Sequence, residues 1–93
     1  MSTLYASIRA AIADERLLIS YHADERCEER SLTPWQLIGE FDSAEVIKEV
    51  PDSQPNPTIL VRQRLADGTI ILVVWAWLQA ESKALMVTAF EPD

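Results

Sequence analysis

The chain is poor in the residues that build specialised sites. Its 93 residues include one cysteine, one histidine and two glycines. Cys27 alone cannot close an internal disulfide, so the fold must rest on its own core, and a lone thiol fits the reducing cytoplasm. Gly39 and Gly68 supply no glycine-rich phosphate loop, which removes nucleotide enzymes of the P-loop and Rossmann kinds. A single Cys and a single His fall short of a zinc-ligand set, so neither a metal nor another cofactor is expected. Long apolar runs are missing too. The longest, Ile70–Leu78, is about half the length a membrane-spanning helix requires. Met1–Leu18 holds no basic stretch followed by an apolar one, so no secretory leader is expected there. Positive charge is scarce: 8 Lys and Arg stand against 15 Asp and Glu, a net charge of −7. That balance opposes broad, sequence-independent nucleic-acid binding.

What is present is a core. Hydrophobic residues make up 48% of the chain, enough for one self-sufficient domain over residues 1–93 and too many for disorder. Three prolines fall in Pro51-Asp-Ser-Gln-Pro-Asn-Pro57. Proline lacks a backbone donor and restricts its predecessor, so this stretch reads as a stiff loop dividing the domain in two.

The first half has helical spacing. Ser2 or Thr3 caps a helix with Leu4, Ile8, Ala11 and Ile12 on one face, fading at Asp14-Glu15. Leu17-Leu18-Ile19 is either an edge strand or a link between helices. A second helix follows Ser20 over Tyr21–Arg30. The third has the clearest start: Thr33 at the cap, Pro34 in the first turn and Gln36 to close a capping box.

The second half reads as strands. In Ala44–Val50, Val46, Lys48 and Val50 share a side. Thr58–Leu65 sets Ile59, Val61 and Leu65 against Leu60, Arg62 and Arg64. Ala66-Asp67-Gly68 is a tight turn. Thr69–Leu78 is apolar without alternation, which predicts a central strand covered on both faces. Gln79–Lys83 turns the chain, and Ala84–Phe90 returns. The expected class is α+β: an antiparallel meander of three to four strands with two to three N-terminal helices packed on one face.

One arrangement carries potential chemistry. His22, Arg26 and Arg30 recur every four residues, so they form one ridge along the second helix. Ala23 and Cys27 sit beside the ridge toward the core, and Asp24, Glu25, Glu28 and Glu29 fill the remaining arc. Histidine exchanges protons near neutral pH, and guanidinium groups stabilise charge on a phosphate in transit. Arg62 and Arg64 would join such a pocket if their face of the sheet lies opposite the helix. The competing account is plain: arginines beside carboxylates at helical spacing commonly form solvated ion pairs. Trp75 and Trp77 share a side of the central strand, where aromatic residues most often fill the core.

These residues carry a resemblance. Ile19-Ser-Tyr-His-Ala-Asp-Glu-Arg-Cys-Glu-Glu-Arg-Ser-Leu-Thr33 resembles the hallmark segment of the DUF4258 family. Glu45-Val-Ile, Asn56-Pro-Thr-Ile-Leu60 and the closing Val87-Thr-Ala-Phe-Glu-Pro-Asp93 extend the likeness over most of the chain from Leu17. Members of that family are small bacterial proteins, similar in outline to metal-independent ribonucleases of the barnase and RelE kind. Some resemble toxins encoded beside a zinc-finger antitoxin. The resemblance implies His22 as general acid/base, Arg26 and Arg30 as phosphate partners, RNA as substrate and an antitoxin as protein partner. The lone thiol and the short apolar run lead to the expectation of a cytoplasmic protein without membrane attachment, with a homodimer left open. The family usually carries Tyr just before its Pro-containing tail, whereas this chain has Phe90 and so lacks that hydroxyl. A non-catalytic protein-binding or regulatory module is the alternative, and the acidic balance fits it more directly.

Overall fold

A computed structural model describes residues 3–92. In chain order the elements are α1 (Thr3–Ala13), β1 (Leu17–Ile19), α2 (Tyr21–Glu29), α3 (Pro34–Gly39), a 3-10 turn (Phe41–Ser43), β2 (Glu45–Val50), β3 (Thr58–Arg64), β4 (Ile70–Leu78) and β5 (Lys83–Phe90). The strands form one sheet in the order β1-β5-β4-β3-β2.

Local sequence accounts for the helix boundaries. α1 buries Ile8, Ala11 and Ile12, the stripe its spacing predicts, and Glu15 ends it with φ of 61°. Of its two candidate caps, Ser2 lies outside the described residues and Thr3 opens the helix. α2 has little apolar content and depends on its cap. Ser20 Oγ accepts from the Ala23 N–H at 2.9 Å, satisfying one of the donors every helix start leaves open. Its far end closes when the Leu32 N–H turns back to the Cys27 carbonyl at 2.9 Å, with Ser31 in the left-handed region. α3 begins at Pro34, and the Gln36 side chain accepts from the Thr33 N–H at 2.8 Å.

Helices and the 3-10 turn cover one face of the sheet. Ile8, Ala11, Ala23, Cys27, Leu37 and Phe41 pack there on Ile59, Val61, Ile71, Val73, Trp75, Ala84 and Met86. Trp75 is fully buried, with its ring edge-on to Phe41 at 5.8 Å. Trp77 is half-buried on the same side.

The sheet departs from expectation in three ways. It has five strands, not three or four, and it is mixed. Leu17–Ile19 is a true edge strand running parallel to β5, with Leu18 opposite Leu85. Parallel pairing needs a crossover, and here nearly the whole domain supplies it. A bulge between Val46 and Lys48 breaks the shared side expected for β2. Val46 pairs with buried Val61, whereas Lys48 pairs with Leu60 on the other face. β4 is central, but its second face is covered only in part, at Ala76 beneath the proline loop. Ile71, Val73 and Trp75 are sealed, while Leu72 and Val74 remain partly exposed. An unbroken apolar run cannot report whether its second face is capped.

Candidate functional site

The ridge on α2 is positioned from β5. A bulge there leaves Val87 unpaired between Met86 and Thr88. Ser20 Oγ donates to the freed Val87 carbonyl at 2.7 Å while accepting from Ala23, and the Ser20 N–H bonds the Met86 carbonyl at 3.0 Å. One serine therefore caps α2 and clamps its first turn to the sheet. His22 follows in that turn, exposed, its imidazole with no hydrogen bond or ion pair among the described residues.

Arg26 and Arg30 continue the ridge but are engaged. Arg26 Nη1 donates to Glu29 Oε2 at 2.8 Å. Arg30 Nη1 donates to the Arg26 carbonyl at 3.3 Å and lies 3.8 Å from Glu29. Its buried Nε sits 3.3 Å from Glu91 Oε1, an ion pair without hydrogen-bond alignment. Glu91 was not foreseen as part of this group. It links the Glu-Pro ending to the arginine that closes α2, two segments that spacing alone keeps apart.

Beside the ridge, Cys27 is sealed in the core. Burial pushes its thiol above the ordinary value, Asp24 adds to that shift, and Arg30 opposes it. This thiol is a packing residue, as its place beside the ridge suggested.

Arg62 and Arg64 do not join His22. Their neighbours Val61 and Gln63 are buried against the helices, so strand alternation sends both arginines to the opposite face. Two hollows lie elsewhere, and neither is lined by the ridge residues. A hollow of about 250 Å³ lies between α1 and the proline loop, lined by Leu4, Ser7, Pro57 and Trp77 among others. Another of about 320 Å³ lies on the open sheet face beneath Ser53–Asn56. Among the described residues no cluster of His, Cys, Asp and Glu is arranged to hold a metal.

The model of a family described as "Domain of unknown function (DUF4258)" matches residues 19–91. The chain belongs to the DUF4258 family. The match spans the Ser20 clamp, the α2 ridge and Glu91, so the DUF4258 region holds every contact described above for these residues. No curated protein and no solved structure matches the chain.

Proposed function

We propose that this DUF4258 protein is a toxin-like, metal-independent endoribonuclease in which His22 exchanges protons and Arg26 and Arg30 face the phosphate. The observation that carries the reading is the solvent-open imidazole in the first turn of a helix clamped to the sheet, followed on one ridge by two guanidinium groups. The first-turn N–H groups of a helix point outward without intrahelical acceptors and favour an approaching anion. In the reaction, the ribose 2′-oxygen attacks phosphorus, the bond to the 5′-oxygen breaks, and a cyclic phosphate and a 5′-hydroxyl form. His22 takes the proton of the 2′-hydroxyl while water supplies one to the departing 5′-oxygen, or His22 supplies the latter while water takes the former. Arg26 and Arg30 must exchange Glu29 and Glu91 for phosphate oxygens as RNA binds.

The test is RNA cleavage by the purified protein with chelator present, together with growth on induced expression. Wild type should cleave and arrest growth, and His22→Ala should lower the rate by at least about 100-fold, the usual scale of general acid–base catalysis. Equal cleavage by both proteins removes His22 from the mechanism.

A second reading rests on its own observation. Both ridge arginines already hold carboxylates in a chain of net charge −7, the arrangement of a non-catalytic binding module. It predicts no cleavage by wild type under any of these conditions.

A further inference from the structure

Cations divide into those that hold a carboxylate and those that do not. Arg9 pairs with Asp42, Arg16 with Asp14, Arg26 with Glu29 and Arg30 with Glu91. Lys48, Arg62, Arg64 and Lys83 make no ion pair among the described residues, and the ladder places all of them on the open face. Lys48 pairs with Leu60, Arg62 with Leu72, Arg64 with Ile70 and Lys83 with Leu78, alternating with residues sealed under the helices. Glu45, opposite Arg62, is the acidic residue on these strands that shares their face.

The centre of that face is aliphatic. One row crosses all five strands, Val50–Thr58–Ala76–Leu85–Leu18, and the next runs Lys48–Leu60–Val74–Thr88. Leu60, Leu72, Val74 and Leu85 are each partly exposed, whereas their counterparts on the helical face are sealed. A sheet with two apolar faces normally sits between two layers, and among the described residues only the proline loop reaches over this one. Beside the small side chain of Ala76 the hollow of about 320 Å³ opens, lined by Pro55, Thr58, Leu85 and Val87. It has room for one bulky apolar side chain.

We propose that the open face docks an acidic amphipathic segment of another protein. Its aliphatic residues cover Leu60, Leu72, Val74 and Leu85, one of them enters the hollow over Ala76, and its carboxylates meet Arg62, Arg64 and Lys48. Charge complementarity selects this occupant: unpaired cations rim an aliphatic centre inside an otherwise acidic molecule. RNA fits less well, because single strands bind on aromatic platforms and this face offers only Phe90 at its margin. The outer strands lie about 19 Å apart at ordinary spacing, the length of a helix of roughly 13 residues. This surface lies opposite the α2 ridge, so it stands or falls separately from RNA cleavage.

The test titrates the full chain with a labelled peptide of about 18 residues, long enough for such a helix, patterned as a leucine stripe flanked by glutamates. A twin with lysine for every glutamate and a single-stranded RNA oligonucleotide run beside it. The acidic peptide should bind and shift the amide resonances of Leu60, Leu72, Val74 and Leu85. Arg62→Glu with Arg64→Glu should weaken it at least tenfold, Arg9→Glu should not, and the paired Gln substitutions give the same direction should the reversal impair folding. Equal binding of the lysine twin, no binding of either peptide, displacement of the acidic peptide by the oligonucleotide, or burial of this face by a second copy would each overturn the proposal.

Discussion

The side-chain amide of Gln63 donates a 2.7 Å hydrogen bond to the carbonyl of Leu37. Both residues are fully buried, so this one bond ties the end of α3 to the inner face of β3 and satisfies a carbonyl the helix leaves open. The other amide atom, Oε1, has no partner among the described residues. Gln63→Leu should therefore cost only about 1–2 kcal/mol, since losing the bond to Leu37 is partly offset by removing an orphaned acceptor. Gln63→Glu should behave differently. A buried carboxyl donates to Leu37 only when protonated, so its folded-state pKa would rise above the unfolded value. Stability would then be present at acid pH and lost as pH rises past that unfolded value. Urea titrations at acid and neutral pH check this, and a pH-independent cost would refute it.

Trp75 is sealed, its ring edge-on to Phe41, and its indole N–H finds no acceptor among the described residues. Trp75→Ala should lose about 3–5 kcal/mol through the cavity it leaves, enough to unfold much of a domain of ordinary stability. Trp75→Phe should cost markedly less, because it keeps the aromatic contact and removes the stranded donor. Equal melting temperatures for the two variants would contradict this account.

In the β3–β4 turn, Asp67 Oδ1 accepts from the Thr69 N–H at 2.9 Å. That backbone bond, joined by the Thr69 side chain, holds the Asp67 carboxyl below its ordinary value. A depressed folded-state pKa adds stability that is present above the unfolded value and lost as pH falls through the folded one. Asp67→Ala should accordingly lower stability at neutral pH and make little difference in strong acid. Gly68, at φ of 90°, should resist replacement by any other residue.

Cys27 should react slowly with iodoacetamide in the native state and quickly in urea, since burial keeps the thiol protonated and out of reach. The raised pKa has the opposite linkage from that of Asp67. The unfolded chain ionises first, so stability should decline as pH climbs above the ordinary thiol value. Native-state alkylation as fast as in urea would show α2 detaching from β5.

His22→Ala should change stability by no more than about 0.5 kcal/mol and barely move the melting temperature, as expected at an exposed position whose side chain has no partner among the described residues. A large loss would mean the imidazole has a structural duty and would confound any loss of RNA cleavage.

Much of the architecture is legible locally. The Thr33-Pro34 start, the Ile8–Ala11–Ile12 stripe and the Asp67-Gly68 turn each depend on neighbours a few residues away. The alternation of Ile59 and Val61 against Arg62 and Arg64 is equally direct. What escaped is set by distant partners. Leu17–Ile19 becomes a strand only because β5 lies beside it, and Val46 and Lys48 part company at a bulge that no periodicity announces. Alternation sets Gln63 on the face of Ile59 and Val61, but nothing local shows that Leu37 supplies its acceptor. In the candidate site, helical geometry placed His22, Arg26 and Arg30 on one ridge. It had no means of showing that Ser20 anchors that ridge through Val87, that Glu91 holds Arg30, or that Arg62 and Arg64 project from the far side.

The strand order has a consequence for synthesis. β5 is translated last among the five, yet it lies inside the sheet between β1 and β4. While the ribosome is still adding Lys83–Phe90, α2 has no floor beneath Ala23 and Cys27, and Leu17–Ile19 has nothing to zip onto. The nascent polypeptide must therefore wait, with its early helices loosely held, until the final hairpin emerges and locks both ends together.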